Sequence, residues 1–266
     1  MRCVLLLLLL LCGRAGAAEL PVWELGAALG AYHAPHYLGA DQSATYALPL
    51  PIFIYRGQYL RSDRSGLVGD LYNHEQLDLR LSASASLPVS SEDNRARDGM
   101  PDLDFLFEVG PVLEYRFLEG DNWQLRADLP LRAAFSLGND GLVYRGLVSN
   151  PRVYGRVLWA DTWLMTATIG PVYASRRFHD YFYQVDSQYT TAVRPAYRAD
   201  AGLVAMRYSL SLSRYFGDLY IGGFVHFYDL GQAANQDSPL VRRSEYLSSG
   251  LAIGWMLRRS TRMVQR

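Results

Sequence analysis

The chain has 266 residues, with 26 acidic side chains against 26 basic ones, and every basic one is arginine. Balanced charge offers no field for nucleic acid. A 13% aromatic content with 19 tyrosines excludes disordered, collagen-like and coiled-coil classes, and no apolar run reaches the roughly 18 residues of a membrane-spanning helix.

Residues 1–18 read as a signal peptide. Arg2 supplies the charged start, Val4 to Leu11 the apolar core, and Ala15, Gly16, Ala17 and Ala18 the small residues that place cleavage after Ala17 or Ala18. The only two cysteines, Cys3 and Cys12, lie in this segment. The mature chain therefore carries no thiol, disulfide or cysteine metal site, which suits passage through an oxidising compartment.

The remainder alternates with period two, the spacing of strand faces. Residues 22–33 put Trp23, Leu25, Ala27 and Leu29 on one face, and a loop follows at 34–44. Strands are predicted at 45–56, 59–71 and 75–87, where 59–71 either breaks into a tight hairpin near Ser65 and Gly66 or is irregular. Leu77, Leu79, Leu81, Ala83, Ala85 and Leu87 oppose Asp78, Arg80, Ser82, Ser84 and Ser86. Further strands are predicted at 104–117, 123–137, 150–159, 163–174, 198–214, 218–229 and 246–257. Long connections at 88–103, 138–149, 175–197 and 230–245 alternate with short ones near Glu119 to Asp121, Ala160–Asp161 and Gly217–Asp218.

Three features separate this pattern from a soluble sandwich. The strands run to about ten residues or more, where soluble strands average five or six. Their polar faces carry charges deep inside the strand, as at Arg80, Glu108, Arg126 and Arg207, which a watery or salt-bridged lumen tolerates. Aromatics collect near strand ends: Trp23, Tyr55, Tyr59, Tyr115, Phe117, Trp123, Trp159, Trp163, Tyr173, Tyr215, Phe227, Tyr228 and Trp255. That distribution suits the interfacial girdles of an outer-membrane barrel. The expected fold is all-β, an antiparallel transmembrane barrel of ten to twelve strands, with twelve favoured, over residues 19–257, followed by a basic tail at 258–266. Long outer loops and short periplasmic turns place the long set outside the cell and the C-terminus in the periplasm.

Several stretches, in order along nearly the whole mature chain, resemble the MipA/OmpV family, the MltA-interacting proteins of the Gram-negative outer membrane. They are Gly26-Ala-Ala-Leu-Gly30-Ala-Tyr32, Pro35-His-Tyr37-Leu-Gly39-Ala-Asp41 and Leu48-Pro49-Leu50-Pro51. In the middle stand Arg97-Asp-Gly99-Met100-Pro101-Asp102-Leu103 and Glu108-Val-Gly110-Pro111-Val-Leu113-Glu114-Tyr115. Later come Gly170-Pro171-Val-Tyr173, Tyr181-Phe-Tyr183-Gln-Val185, Ala196-Tyr197 and Asp237-Ser238-Pro239-Leu240-Val241. Glycine and proline at such positions fix loop and turn geometry, so these residues read as structural. Barrels of this kind usually end on an aromatic assembly signal. Here Leu251, Ile253, Trp255 and Leu257 form the last apolar face and Arg258 to Arg266 follow, so an internal signal ending at Leu257 is expected. The resemblance implies a scaffold that links a lytic transglycosylase to a penicillin-binding murein synthase in peptidoglycan remodelling.

No residue pattern specifies a catalytic, cofactor or metal site. His33 and His36 stand near Asp41, but a strand-to-loop crossing does not hold those rings on one side, and solvated rim histidines are the simpler reading. His179 and Asp180 have Ser175 and Ser187 near in sequence, which is short of a base within reach of a nucleophile. His74 carries no signal, and His226 suits an interface or lumen. Arg80, Arg126, Arg132, Arg156 and Arg207 could line an anion channel, but Asp78, Glu108, Glu114 and Asp128 on neighbouring strands favour mutual neutralisation. The sequence therefore points to a non-enzymatic outer-membrane barrel in contact with lipid. The alternatives are a small-solute or anion porin and a surface adhesin or stress-response barrel.

Overall fold

The structure, a computed structural model, describes residues 19–56, 60–63, 66–74, 76–160 and 162–265. The alternating segments form β1 (Glu19–Pro21), β2 (Trp23–Pro35), β3 (Ser43–Arg56), β4 (Leu60–Asp63), β5 (Gly66–His74), β6 (Leu77–Ser86), β7 (Phe105–Gly120) and β8 (Trp123–Gly138). They continue as β9 (Gly141–Ser149), β10 (Arg152–Trp159), β11 (Trp163–Ala174), β12 (Gly202–Phe216), β13 (Leu219–Asp229), β14 (Glu245–Arg259) and β15 (Met263–Gln265). One helix, α1 (Arg176–Tyr183), and a 3-10 turn at Ser187–Tyr189 lie between β11 and β12.

Sequential strands pair antiparallel from β2 through to β8 and from β11 to β14, and β14 pairs back with β2. Between them β9 and β10 act as one stave. β9 covers the Leu131–Gly138 part of β8 and β10 covers Trp123–Asp128, and both meet β11. Between β3 and β6 the ladder is bridged only at the turn end, where Tyr55 and Arg56 of β3 meet β4 and Leu77–Leu81 of β6 meet β5, so Ser43–Ile54 of β3 have no described strand on the side away from β2. Elsewhere every long strand has a neighbour on both sides, as a bilayer requires because lipid offers nothing to an unpaired N–H or C=O. With β9 and β10 counted together, the ladder has eleven long staves, and the four-residue β4 is the short one. The run 59–71 does break, with Asp63 opposite Gly66. The structure is thus within the expected range, and twelve is reached only by counting β4.

Register fixes the two faces. Leu210 lies opposite Val225 on one side and Ala167 on the other, and Leu251 opposite Gly223 and Ala31. These outward positions are apolar and exposed, to 51% at Leu210 and 72% at Leu251. The alternate positions, such as Asp78, Glu114 and Asp128, are buried. Outward aromatics gather at both ends. Trp163 packs edge-on against Phe216 near the tight turns, and Phe105, Phe107, Phe135 and Tyr144 form a chain of ring contacts near the long loops.

Four sequence expectations need correction. The segment 138–149 is not a long loop. A turn at Asn139–Asp140 leads straight into β9, which pairs with β8. The alternation was hidden by a bulge, where Gly146 takes a φ of 116° and the register shifts between Ala134 and Phe135. Next, β12 begins at Gly202 rather than 198, because 198–201 belong to the preceding loop. Tyr215 and Tyr228 do not join a girdle. They share the inward phase of β12 and β13, where Tyr215 meets Tyr220 and Arg207 approaches the Tyr228 ring. Tyr59 and the side chain of His74 lie outside the described residues. Finally, β14 continues past Leu257 to Arg259, and Met263–Gln265 pairs with Glu19–Pro21 in a small separate sheet.

An arginine on the lipid face near the bilayer midplane costs about 2–4 kcal/mol. Leu210→Arg and Leu81→Arg are therefore expected to reduce the heat-modifiable, folded fraction on unboiled gels, while Ser211→Arg on the inward face leaves most of it folded. Equal losses would show that the inward and outward faces are assigned wrongly.

Candidate functional site

The lumen is lined unevenly. On the β6–β7–β8–β10 wall, arginines and carboxylates interlock. Arg80 reaches Glu114 at 3.2 Å and Asp78 at 3.6 Å, and Arg116 also reaches Asp78 at 3.6 Å. Arg126 lies 3.5 Å from Glu114 and 2.7 Å from Asp128, and its guanidinium stacks on Tyr154 at 3.9 Å. Asp128, with no exposed side-chain surface, also accepts from Arg152 at 3.0 Å. Arg132 joins Glu108 at 3.4 Å and donates to Ser82 at 2.9 Å. Each carboxylate so placed compensates the desolvation of at least one guanidinium.

The opposite wall is different. Thr166 and Ser211 share a hydrogen bond at 2.5 Å, and Arg207 approaches the His226 ring nitrogen Nε2 at 3.2 Å. On β14, β2 and β3 the inward phase holds Gly250, Ala252, Gly254, Gly26, Ala28, Gly30, Leu48, Leu50 and Ile52. A Cβ on Gly30 would stand 2.8 Å from Leu50 Cδ1.

At the loop end the barrel is capped. The three long loops and the short loop 36–42 contribute to one apolar cluster: Tyr37 and Ala40; Val89, Ala96, Met100 and Leu103; Tyr183, Val185 and Ala199; and Leu240. Below it, α1 lowers Phe178 between inward-facing Leu106, Ala134, Val148 and Ala174, with Val204 at the bulged start of β12. Polar groups hold the cap. Tyr37 OH donates to the Leu240 carbonyl at 2.8 Å and Tyr183 OH to that of Leu38 at 3.0 Å. Ser238 Oγ donates to the Tyr183 carbonyl at 2.8 Å. Buried Arg97 donates to the carbonyls of Phe182 and Pro101, each at 3.1 Å. Arg194 donates to those of Tyr189, Ala96 and Asp98, each at 2.9 Å. Burial pushes the Tyr37 phenol up to about 12 and lowers the Arg97 guanidinium.

Two histidine–asparagine pairs cross-link the loops. Asn94, fully buried, lies 3.1 Å from His36 Nδ1. Asn235 lies 2.6 Å from Nδ1 of fully buried His179, whose Nε2 faces the Gly202 carbonyl at 3.3 Å. Asn235 Oδ1 accepts from the Asp200 N–H at 2.8 Å and Tyr197 OH at 3.3 Å. That fixes the amide with its NH2 toward His179, so Nδ1 is the acceptor and Nε2 carries the proton. Burial holds both imidazoles below their usual value, with the Gly202 carbonyl opposing it at His179 and Asp93 and Asp41 opposing it at His36.

The family-motif residues divide into two places. Gly26, Gly30, Pro49, Gly110, Pro111, Gly170 and Pro171 lie on strands, with Pro49 and Pro111 on the outward phase opposite Leu29 and Leu81. A Cβ on Gly110 would collide with the Leu131 carbonyl and one on Gly170 with the Pro151 carbonyl, so both mark close crossings of adjacent strands. Pro35, Tyr37, Gly39, Gly99, Met100, Asp237, Ser238 and Pro239 belong to the strand end and loops that build the cap. Gly39, at φ 95°, turns its carbonyl to accept from the N–H groups of Arg242 and Arg243.

The candidate chemical pairings do not assemble. His33 bonds Thr45, His36 bonds Asn94, and Asp41 pairs with Arg95 at 3.3 Å. Both His179 nitrogens are occupied, and Ser175 Oγ accepts from the Leu147 N–H at 2.9 Å. Among the described residues no group of three or more His, Cys, Asp or Glu side chains could hold a metal. Phe178, Asn94, Asn235 and Arg194 carry the cap and were not singled out from sequence. Isolated polar residues in long loops give no periodic signal.

A long antiparallel ladder in which β14 pairs back with β2, with an outward apolar belt between aromatic ends, is the wall of an outer-membrane β-barrel. The chain belongs to the family described as MltA-interacting protein MipA, whose match spans residues 27–257. No curated protein matches it. Among solved structures it is similar to an outer membrane channel from Pseudomonas putida F1, at 11% identity over 92% of this chain and 99% of that one, TM-score 0.49. It is also similar to the NanC porin, at 10% identity over 88% and 100%, TM-score 0.40. A third is the CymD monoaromatic hydrocarbon channel, at 10% identity over 90% and 89%, TM-score 0.39.

Removing Asp128 leaves Arg126 with Glu114 alone and takes the carboxylate from partly buried Arg152, so Asp128→Ala is expected to cost about 1–3 kcal/mol, read as a lower urea midpoint for loss of the folded gel band. The cap is expected to be acid-sensitive. Imidazoles held below the ordinary 6.5 by burial stabilise the cap fully above pH 6.5. As pH falls below that value the opened form takes protons first, and cap stability declines until the folded imidazoles titrate too. Hydrogen exchange of amides in α1 should therefore accelerate between about pH 7 and about pH 5, and His36→Gln with His179→Gln should flatten that dependence.

Proposed function

We propose that this protein is a non-enzymatic barrel with a stoppered mouth that serves as an outer-membrane anchor for cell-wall enzymes, joining a lytic transglycosylase to a penicillin-binding murein synthase. The observation that carries it is the wedge of α1 in the barrel mouth, with Phe178 seated among inward-facing residues of β7, β8, β9 and β11. A pore has no use for such a stopper, whereas an anchor loses nothing by it. The family description, MltA-interacting protein, supports the enzyme partner. In this reading the cap faces the cell exterior and the tight turns face the periplasm, as long outer loops and short inner turns imply. Residues 1–18 are removed on export, residues 23–259 form the barrel, and the ribbon of Glu19–Pro21 with Met263–Gln265 stays on the periplasmic side. The glycines and prolines of the family motifs then serve cap and strand geometry, and no cofactor is needed.

Anion passage is the second reading, favoured by Arg207. It faces the lumen, and its hydrogen-bond partners are Ser209 and His226 rather than a carboxylate. Planar-bilayer recordings separate the two. The anchor reading expects no steady conductance from the wild type, and openings from Phe178→Asp, which drives a charge into the apolar wedge. It also expects an immobilised lytic transglycosylase to retain the detergent-solubilised barrel. Steady anion current from the wild type, with no retention, would replace the anchor by the porin.

A further inference from the structure

The ribbon made by β1 and β15 lies outside the barrel ladder. It continues the seam between β14 and β2: Arg259 stands opposite Glu24, the Ser260 N–H donates to the Trp23 carbonyl at 2.8 Å, and the Val22 N–H donates to the Arg262 carbonyl at 2.9 Å. The neighbouring strand stops short, since β13 begins at the Gly217–Asp218 turn, where the Met256 N–H donates to the Asp218 carbonyl. Past that point no described strand runs beside β14 and β15 on their outer side.

The hydrogen-bond phase tells which backbone groups face outward. Glu19, Leu20 and Pro21 stand opposite Gln265, Val264 and Met263. The bond from Val22 to Arg262 flanks the pair Pro21–Met263, which makes it a non-hydrogen-bonded pair. In such a pair each residue turns its N–H and C=O away from its partner. Pro21 therefore costs the ribbon no bond, and it leaves the outer edge of β1 without a donor at that position. Proline is the usual guard of an exposed edge. β15 carries no such guard, and the N–H and C=O of Met263 point to its open side. Around that edge Arg258, Arg262 and Met263 are exposed. Arg259 is already neutralised by Glu24 at 2.9 Å and Asp218 at 2.7 Å, so Arg258 and Arg262 are the charges left to recruit a partner.

We propose that the outer edge of β15 is a docking strand to which an extended, acidic segment of a periplasmic protein adds as a third strand. Backbone bonds from the edge give affinity, and carboxylates paired with Arg258 and Arg262 select the partner. The proposal rests on the orientation in the preceding section, which puts the turn end in the periplasm.

The test uses the full barrel refolded in detergent and a fluorescein-labelled octapeptide of alternating valine and glutamate, read by anisotropy. Wild type should bind it, and should bind a version with a central proline, or one with lysine for glutamate, at least about tenfold more weakly. Met263→Pro removes the outward N–H but no ribbon bond, so it should also weaken binding about tenfold, whereas Met263→Ala should bind much as wild type does. Arg258→Glu with Arg262→Glu should reverse the preference toward the lysine peptide. Heat-modifiable migration verifies that each variant is folded, and the proline-bearing peptide tests the edge on unaltered protein. Equal binding of both glutamate peptides would mean charge attraction without strand addition and would overturn the proposal. So would a wild-type barrel that ignores the peptide and instead dimerises through this edge by light scattering, with the dimer lost in Met263→Pro. Retention on the immobilised transglycosylase separates the two readings. A barrel retained without peptide binding sinks the docking strand and leaves the anchor standing. Peptide binding without retention does the reverse.

Discussion

A bilayer core supplies no hydrogen-bond partner, so a strand that enters it must have its N–H and C=O groups taken by another strand on each side. Most of this structure follows from that constraint. It pairs β14 back with β2 and makes β9 and β10 share the flank of β8. It also fixes which side chains can be where. Once the backbone is satisfied, outward positions must be apolar, and whatever is polar has to point into the lumen.

The lumen then has its own problem. Arginines and carboxylates drawn inside lose water, and they remain charged only because they meet. Asp128 is held by two guanidinium groups, and Glu114 by Arg80 and Arg126. A wall of this kind is a rigid lattice of fixed pairs. Across from it, the glycines and alanines of β2 and β14 leave room for Leu48, Leu50 and Ile52 from β3. The barrel is thus stiff and charged on one side and smooth on the other. At the loop end the same need for burial produces a small globular core on top of the strands, with Phe178 as its lower tip and buried polar pairs as its fasteners.

The faces of β6, β8 and β12 could be read directly, because Leu77 to Ala85, Trp123 to Leu131 and Tyr208 to Leu212 alternate without interruption, and a period of two has one structural meaning over such a length. β9 could not be read, because one glycine bulge at Gly146 changes the phase and makes a strand look like a loop. Tyr215 and Tyr228 misled for a related reason. Aromatic rings suit a membrane interface and a lumen equally well, and only register separates the two.

The sequence by itself determined the class of this protein: long alternating strands, charges on one face, lipid-soluble residues on the other, and the motifs of its family in order. Those are local properties, set by side-chain chemistry and by the two-residue repeat of an extended backbone. Tertiary structure alone decided that Tyr37, Met100, Tyr183 and Leu240, spread across the chain, form one core. It alone seated α1 in the mouth and matched Asn94 to His36 and Asn235 to His179. Loops have no period, so which of them meet depends on where the ladder delivers their ends. The ladder likewise brings the segments at the two ends of the described chain together as a ribbon, because β14 and β2 pair and run on to one seam.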